Sequence, residues 1–452
     1  MTLAVTRTKA EQALSQNFEA VAAKLPGAGA VAEARKAAIG TFAALGLPHR
    51  RIEEWKYTDL RTALKEVLPP AVGEPTKASP AEIDQALGTL ATLDAYRMVF
   101  VDGTYASDIS SRMPPNIQVG SLAEATVTAP RAAPHADAGE AVLRASARGR
   151  DDAVIALNTA FMTDGAVVQI GKGTKLDKPM LLVFASASRE GRLATTRNLI
   201  RLGDGASATI IEAHVVLAGA AGGQANALSE ILLGEGARLA HVKCTLVGEQ
   251  ATHLATWLAT LKRSAIYRAF QLTAATGLVR NNVLATFCGE AAKLDISGVF
   301  LGRGHQHIDT TLVVDHAVPG CESRELFKGV LDGRARGVFQ GKVIVRPDAQ
   351  KSDGKQMAQA LMLSEEAEFD SKPELEIHAD DVACGHGSTA AELDEDLLFY
   401  MRTRGIPPAQ ARALLIESFI GEALERIDDA NVRAALADLA KAQLAQLSGA
   451  LP

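Results

Sequence analysis

The chain has 452 residues, of which 47% are apolar and only 4% are aromatic, and its formal net charge is −6. This length is enough for two or three packed units, while the acidic balance and the scarcity of aromatic rings argue against a nucleic-acid-binding protein. No apolar run is as long as a transmembrane helix, the N-terminal segment lacks the apolar stretch of a secretion signal, and the four cysteines follow no disulfide or zinc-finger spacing, so a reduced, cytoplasmic protein is predicted.

The first region, residues 1–150, is predicted to be mostly helical. Ala, Glu, Lys and Leu dominate residues 8–48 and 80–93, and these residue types favour helices. Between the two stretches, the sequence RIEEWKYTDLR contains Trp55 and Tyr57. We interpret these rings as packing anchors, because buried aromatic side chains usually belong to a core.

The second region, residues 151–388, repeats a short pattern in which a turn that usually contains glycine is followed by an alternating strand. The repeated turns lie at residues 202–206, 233–237, 288–292 and 331–335. Glycine adopts the positive φ of a tight turn without strain. Repetition over roughly 200 residues without an intervening helical period predicts a β-solenoid. A βαβ fold would require helices between the strands, whereas a β-sandwich stays open as an alternative.

The third region, residues 389–452, is again predicted to be helical. Asp394 is a suitable N-cap and Gly405 a suitable stop for its first helix. The next helix carries a broad apolar stripe that includes Leu415 and Phe419. The stripe indicates either that these helices cover the open end of the solenoid or that they dock a partner protein.

Several sequence motifs of enzymes are missing from the chain. It contains no GxxxxGK[ST] loop, no GxGxxG between a strand and a helix, no GxSxG elbow and no HExxH. We therefore predict neither a P-loop nucleotide site nor a standard hydrolase site.

Potential metal ligands are most concentrated in the sequence DDVACGHGST, where Cys384 and His386 are two residues apart. In a strand, residues at this spacing point to the same face. A thiolate and an imidazole are suitable ligands for zinc, iron or an iron–sulfur cluster. Because two ligands do not complete a metal site, another chain would have to supply the others.

A second polar pattern contains His305, His307 and Asp309 at a spacing of two, followed by His316. The simplest interpretation is a solvated outer face of a solenoid strand. A metal site is the alternative, because imidazole and carboxylate groups bind transition metals.

The C-terminal sequence closely resembles the SufD branch of the SufB/SufD family, which belongs to the SUF system of iron–sulfur cluster assembly. The resemblance is carried by PELEIHADDVACGHGST and LFYMRTRGI, and it extends upstream through VVDHAVPGCESRELFKGVLDGRARGVFQGKVIV. It is weaker at RIEEWKYTDLR and at LNTAFMTDGAVVQI. The resemblance implies a right-handed parallel β-helix between helical N-terminal and C-terminal regions.

The resemblance also implies partners and roles. It implies a complex with the paralogue SufB through the edge of the β-helix, and with two copies of the ATPase SufC through the C-terminal helices. A transient iron–sulfur cluster would form at the interface with SufB, where His386 would face a SufB cysteine and Cys384 would have a less secure role. The candidate residues for docking SufC are Leu397, Tyr400, Arg404, Leu415 and Phe419. A reduced flavin in the complex and a homodimer of the isolated chain both stay open.

The sequence leaves three alternatives open. The first is a SufB-like scaffold, although the SufB motif differs from CGHGST. The second is a carbohydrate-active β-helix enzyme, supported by analogy of fold alone. The third is an interaction module without a metal.

Overall fold

The computed structural model describes residues 7–73, 76–127 and 152–447, which form a stack of β-strands with helices on its faces. The helices are α1 (Lys9–Val21), α2 (Ala30–Leu45), α3 (Leu60–Ala63), α4 (Pro80–Leu87), α5 (Leu122–Val127), α6 (Ala153–Phe161), α7 (Glu395–Thr403), α8 (Pro408–Leu424) and α9 (Ala430–Leu447). None of the described helices combines the length and the apolar character needed to cross a membrane. The predicted boundary between residues 150 and 151 lies outside the described residues.

Seventeen strands are described, and the first three belong to the region for which mostly helices were predicted. The strands are β1 (Tyr96–Val101), β2 (Thr104–Tyr105), β3 (Gln118–Ser121), β4 (Ala166–Ile170), β5 (Met180–Ser186), β6 (Leu193–Leu202), β7 (Ser207–Val216), β8 (Gln224–Leu233), β9 (Arg238–Leu261), β10 (Ile266–Phe287), β11 (Lys293–Gly302), β12 (His307–His316), β13 (Glu322–Leu331), β14 (Arg336–Val345), β15 (Asp353–Met362), β16 (Glu368–Ile377) and β17 (Ala383–Ala391).

The strands form two parallel sheets that face each other. The first sheet stacks β1, β5, β7, the first half of β9, the first half of β10, β11, β13, β15 and β17. The second sheet stacks β4, β6, β8, the second halves of β9 and β10, β12, β14 and β16. The chain alternates between the sheets for about eight turns, so the predicted β-solenoid is confirmed and the alternative of a β-sandwich is wrong.

The predicted turns connect strands of opposite sheets and have the expected backbone. Gly205, Gly236 and Gly333 have φ values of +66°, +64° and +64°. Ala291 takes the same conformation at +57°, although its Cβ makes this region unfavourable. Each turn leads the chain from one sheet to the other, so the repeat in the sequence corresponds to a repeat in space.

The main core lies between the two sheets and is built from alternate residues of every strand. Helices cover the outer faces. Helices α4, α8 and α9 pack on the outer face of the first sheet, whereas α1, α2 and α6 cover part of the second. The C-terminal helices therefore cover a face of the solenoid. The prediction that they cover its open end is wrong.

The solenoid ends with β16 and β17, which form the last turn. Each of them pairs on one side only, β16 with β14 and β17 with β15, so their outer edges have no partner strand among the described residues. Many side chains of this turn are at least partly exposed, in contrast to the buried strands before it. Unpaired N–H and C=O groups on such edges are ready to pair with another strand.

Candidate functional site

The open end of the solenoid carries Cys384 and His386 on β17. Cys384 pairs in register with Gly354 of β15, and His386 pairs with Gln356. Because alternate residues of a strand share a face, both members of the pair belong to the row that faces the space between the sheets. Cys384 is half-buried against the core, whereas His386 is exposed. The pair therefore lies at the mouth of the solenoid, where the imidazole can be reached from solvent.

A small space lies next to the Cys384 thiol, because Gly354 has no side chain. A Cβ at position 354 would lie 3.6 Å from Cys384 Sγ and 3.4 Å from Ser323 Oγ. The thiol and the hydroxyl thus approach the same space from two different turns of the solenoid. Ser323 Oγ also lies 3.1 Å from Nε2 of His316, which holds the hydroxyl in place.

The electrostatic surroundings keep the Cys384 thiol protonated at neutral pH. Burial raises the pKa of Cys384 above its ordinary value, and the carboxylate of Asp353 adds to the shift. The backbone N–H of Gly354 opposes it by hydrogen bonding to the sulfur. Since a thiol binds metal as the thiolate, binding at Cys384 would have to release its proton.

Below His386 a column of polar side chains leads into the solenoid. Gln356 of β15 lies directly under His386, and Glu325 of β13 lies directly under Gln356. Gln356 and Glu325 are each only 3% exposed. Gln356 donates a hydrogen bond from Nε2 to the carbonyl of Glu374 at 3.2 Å, but neither carboxyl oxygen of Glu325 has a hydrogen bond of ordinary geometry.

Burial raises the pKa of Glu325 from 4.5 to about 8, and Ser323 and Arg324 only partly oppose the shift. At neutral pH the carboxyl is therefore mostly protonated in the folded chain and ionised in the unfolded chain. Unfolding then releases a proton, so the contribution of Glu325 to the free energy of unfolding falls as the pH rises from about 4.5 to 8.

Glu325→Gln is expected to remove this loss of stability. The variant should match the parent near pH 4.5 and exceed it by a few kcal/mol at pH 8, since each unit of pKa shift corresponds to about 1.4 kcal/mol. Denaturant unfolding between pH 4.5 and 8 measures the difference. The control is Glu322→Gln at a half-buried residue of the same strand, which should keep the pH dependence of the parent. Equal slopes in the parent and in Glu325→Gln would show that Glu325 is not the responsible group.

Among residues 7–73, 76–127 and 152–447, no group of three or more His, Cys, Asp and Glu side chains is arranged to hold a metal ion. The pair at the mouth offers two ligands of different softness, a sulfur and an aromatic nitrogen. Such ligands suit zinc, iron and iron–sulfur clusters, which usually take about four ligands. The site is thus suited to a metal or cluster that also has ligands from elsewhere.

A separate apolar surface lies on α7, the helix that follows β17. Leu397, Phe399 and Tyr400 are 49%, 67% and 55% exposed. Asp394 caps this helix by accepting a hydrogen bond from the N–H of Leu397 at 3.0 Å, as predicted. Arg404 packs its guanidinium 5.0 Å from the centre of the Tyr400 ring.

The apolar stripe of α8 has a different environment. Leu415 and Phe419 are half-buried, and the Phe419 ring packs against the first sheet with Lys328 Nζ 4.4 Å from its centre. Ile416 and Ile420 of the adjacent row are buried. The stripe therefore mainly attaches α8 to the solenoid, and the larger exposed apolar area lies on α7.

Comparison with known families assigns almost the whole described chain. Residues 184–419 match the family model described as the SUF system FeS cluster assembly, SufBD core domain. Residues 8–182 match the model of the SufBD protein N-terminal region. The chain belongs to the SufBD family. It is thus a member of a family of iron–sulfur cluster assembly proteins.

Relatives support the same assignment across most of the SufBD chain. An iron–sulfur cluster assembly SufBD family protein of Synechocystis is 31% identical over 417 residues, covering 89% of this chain and 88% of the relative. The iron–sulfur cluster assembly protein SufD of Escherichia coli is 30% identical over 396 residues, or 86% and 87% of the two chains. SufD of Bacillus subtilis is 26% identical over 277 residues, or 60% and 62%.

The three candidate histidines of this SufBD chain do not form one surface. His305 lies in the turn before β12 and is exposed, and His307 is half-buried at the start of β12. Asp309 is completely buried because Thr58 and Arg280 cover it. The interpretation of a solvated outer face is therefore wrong for Asp309, which the N-terminal segment covers, whereas it holds for His305.

His316 lies on the opposite face of β12 and is completely buried. Burial lowers its pKa to about 4, so the imidazole is neutral at physiological pH. Its ring packs 4.7 Å from the ring of Phe287. His316 consequently belongs to the packing of the solenoid interior near Ser323.

Sequence reasoning missed three residues of the candidate surfaces in this SufBD chain. Glu325 and Gln356 lie far from His386 in sequence, and only the register of the strands reveals the column. Phe399 is not among the predicted docking residues, although it is the most exposed of the large apolar side chains in the described ranges. The residues one helical turn before and after Phe399 on α7 are polar, which could have indicated that its ring is exposed. Nothing in the sequence marks Glu325.

Proposed function

We propose that this chain is a non-catalytic scaffold subunit that holds a nascent iron–sulfur cluster at the mouth of its solenoid. The observation that carries the proposal is the position of His386, exposed on the last turn beside a half-buried Cys384. The cluster is the cargo of the complex, and this chain contributes a part of its ligands. His386 offers a nitrogen lone pair, and Cys384 becomes a second ligand when it releases its proton.

The missing ligands come from a second SufBD-family chain, which we take to be SufB. The unpaired outer edges of β16 and β17 favour such an arrangement, because a strand of the partner can continue the sheet there. Pairing at β17 would place partner side chains next to His386. A second copy of this chain could occupy the same edge when SufB is missing, which would give a homodimer.

The energy for assembly comes from a separate ATPase, which we take to be SufC. This is consistent with the absence of a P-loop motif from the 452-residue sequence. The exposed residues Leu397, Phe399 and Tyr400 of α7 form its docking surface, with Arg404 at the border. Exposed aromatic side chains of this kind are typical anchors of protein interfaces.

Docking at α7 also provides a route to the cluster site. Strand β17 ends at Ala391 and α7 begins at Glu395, so only three residues separate them. A displacement of α7 by the ATPase is therefore transmitted directly to the strand that carries Cys384 and His386. Helix α8 stays attached to the sheet through Phe419 and through the 2.5 Å ion pair between Lys328 and Glu422.

The proposal is tested by expressing this chain with SufB and SufC from the same organism and purifying the complex without oxygen. We expect the three proteins to purify together with iron and acid-labile sulfide in about equal amounts. A stable complex that never contains iron or sulfide after reconstitution would indicate an interaction module and contradict the scaffold role. The visible spectrum of the same sample also reports whether a flavin accompanies the complex.

A further inference from the structure

A large groove lies between the N-terminal segment and the solenoid, and its lining residues are distant in sequence from Cys384 and His386. One wall is the N-terminal segment that contains residues 50–63, and the other is formed by successive turns of the solenoid around residues 249–252, 277–278 and 303–307. The groove is open to solvent and encloses about 970 Å³. It joins two polar stretches of the sequence, RIEEWKYTDLR and GHQHIDT, that the proposed scaffold role leaves without a function.

The N-terminal wall is held firmly against the solenoid. The guanidinium of Arg280 stacks on the Trp55 ring at 3.9 Å and forms an ion pair with Asp309 in a buried position. Thr58 Oγ1 donates a hydrogen bond to the same carboxylate. The second nitrogen of the guanidinium donates to the carbonyl of Glu54 at 2.6 Å. The groove is therefore preformed, as binding sites for small molecules usually are.

Four cationic side chains line the groove: Arg50, Lys56, Arg303 and Arg336. Two carboxylates, Asp59 and Glu249, lie among the described lining residues. Arg303 pairs with Glu249 at 2.8 Å, and Arg336 pairs with Asp370 at 2.5 Å. Asp59 is occupied as the N-cap of α3, where it accepts a hydrogen bond from a backbone N–H.

Arg50 and Lys56 thus form no ion pair within 4 Å among the described residues, although the Glu53 carboxylate is near enough to Lys56 for the pKa of Glu53 to be lowered by that charge. Both are exposed, and Lys56 Nζ lies 5.4 Å from the centre of the Tyr57 ring. Two positive charges on one wall, neither of them in an ion pair with a described residue, stand out in a chain with a formal net charge of −6. They give the groove a local attraction for anions.

A buried hydrogen-bond donor also lines the groove. Gln306 is only 5% exposed, and its Oε1 accepts a hydrogen bond from the N–H of Arg303 at 3.0 Å. Its Nε2 has no acceptor within the described structure. Leaving a buried donor without a partner is unfavourable, which is the reason that buried polar groups are nearly always paired. A ligand oxygen would supply the acceptor.

We propose that this groove binds a phosphate-bearing small molecule of nucleotide size. Arg50 and Lys56 contact the phosphates, and Gln306 Nε2 donates to an oxygen of the ligand. The volume lies at the upper end of the usual range for small-molecule sites, so inorganic phosphate alone would leave most of the groove empty. Tyr57 and Leu278 provide an apolar surface for the part of the ligand that carries no charge.

The test is a calorimetric titration of the isolated full chain with pyrophosphate, ADP and adenosine as probes. We expect ADP to bind most tightly, pyrophosphate to bind more weakly and adenosine not to bind. Arg50→Gln and Lys56→Gln should each weaken ADP binding about tenfold, since a charge-assisted hydrogen bond contributes roughly one such factor. Binding should also weaken as the salt concentration rises.

The matched control is Arg51→Gln, which removes the same charge from the adjacent exposed residue that does not line the groove. It should leave ADP binding unchanged, and thermal unfolding should be alike for all three variants. The proposal is overturned if neither ADP nor pyrophosphate binds at millimolar concentration. It is also overturned if Arg51→Gln weakens binding as much as Arg50→Gln, or if adenosine binds as tightly as ADP.

Discussion

His386→Ala is expected to abolish the retention of iron and sulfide by the complex while the chain still folds and associates with its partners. The imidazole is exposed at the mouth of the solenoid, so its removal leaves no cavity in the core. Loss of even a hydrogen-bond partner of a metal ligand commonly lowers metal affinity by about 10- to 100-fold, so loss of the ligand itself should cost at least as much. Iron and sulfide analysis of the complex purified without oxygen measures the effect.

Two further variants make this result specific to the site. His378→Ala removes another exposed histidine, which lies in the connection between β16 and β17 and contacts Glu376 at 3.1 Å. That variant should retain iron and sulfide. Cys384→Ser should reduce the content less than His386→Ala, since the thiol is half-buried and protonated. Full assembly by His386→Ala would show that the imidazole is not a ligand of the cluster.

The double variant Phe399→Ala with Tyr400→Ala is expected to lose the ATPase from the purified complex. Both rings are more than half exposed, and neighbouring aromatic side chains commonly act as the central anchors of an interface. Each truncation at such an anchor typically costs about 2 kcal/mol or more, so the affinity should fall by at least about a hundredfold. Titration of the complex between this chain and SufB with the ATPase measures this loss of affinity.

Alanine is a good helix former, so α7 itself should persist in the double variant. Leu45→Ala is the matched control, because Leu45 is a large apolar side chain with 45% exposure at the end of α2. It should bind the ATPase as the parent does. Normal ATPase binding by the double variant would mean that the docking surface lies elsewhere on the chain.

The solenoid could be predicted from the sequence because its signals are local. A turn of five residues at 202–206 or 233–237 contains the glycine needed for positive φ, and the next strand begins at the residue that follows the turn. The cap of α7 by Asp394 and the stop at Gly405 are local for the same reason. Each of these features depends on neighbours in the chain, and each was confirmed.

The environment of a side chain could not be predicted in the same way. His307 and Asp309 alternate on one face of β12, as the spacing indicated, but the N-terminal segment covers that face with Trp55 and Thr58. Likewise, the stripe of α8 is apolar, as the sequence predicts. Whether it met a partner or the first sheet depended on packing between segments about 100 residues apart.

The sequence by itself determined the family, the repeating turns and the two ligand-type residues at 384 and 386. These properties depend on residue types and short spacings, which are visible in a linear chain. Only the tertiary structure decided that His386 is exposed at an open end, that Gln356 and Glu325 lie beneath it, and that α7 presents the free apolar surface. Stacking brings together residues about 30 positions apart, and burial depends on which segment covers which face, so no local pattern contains this information.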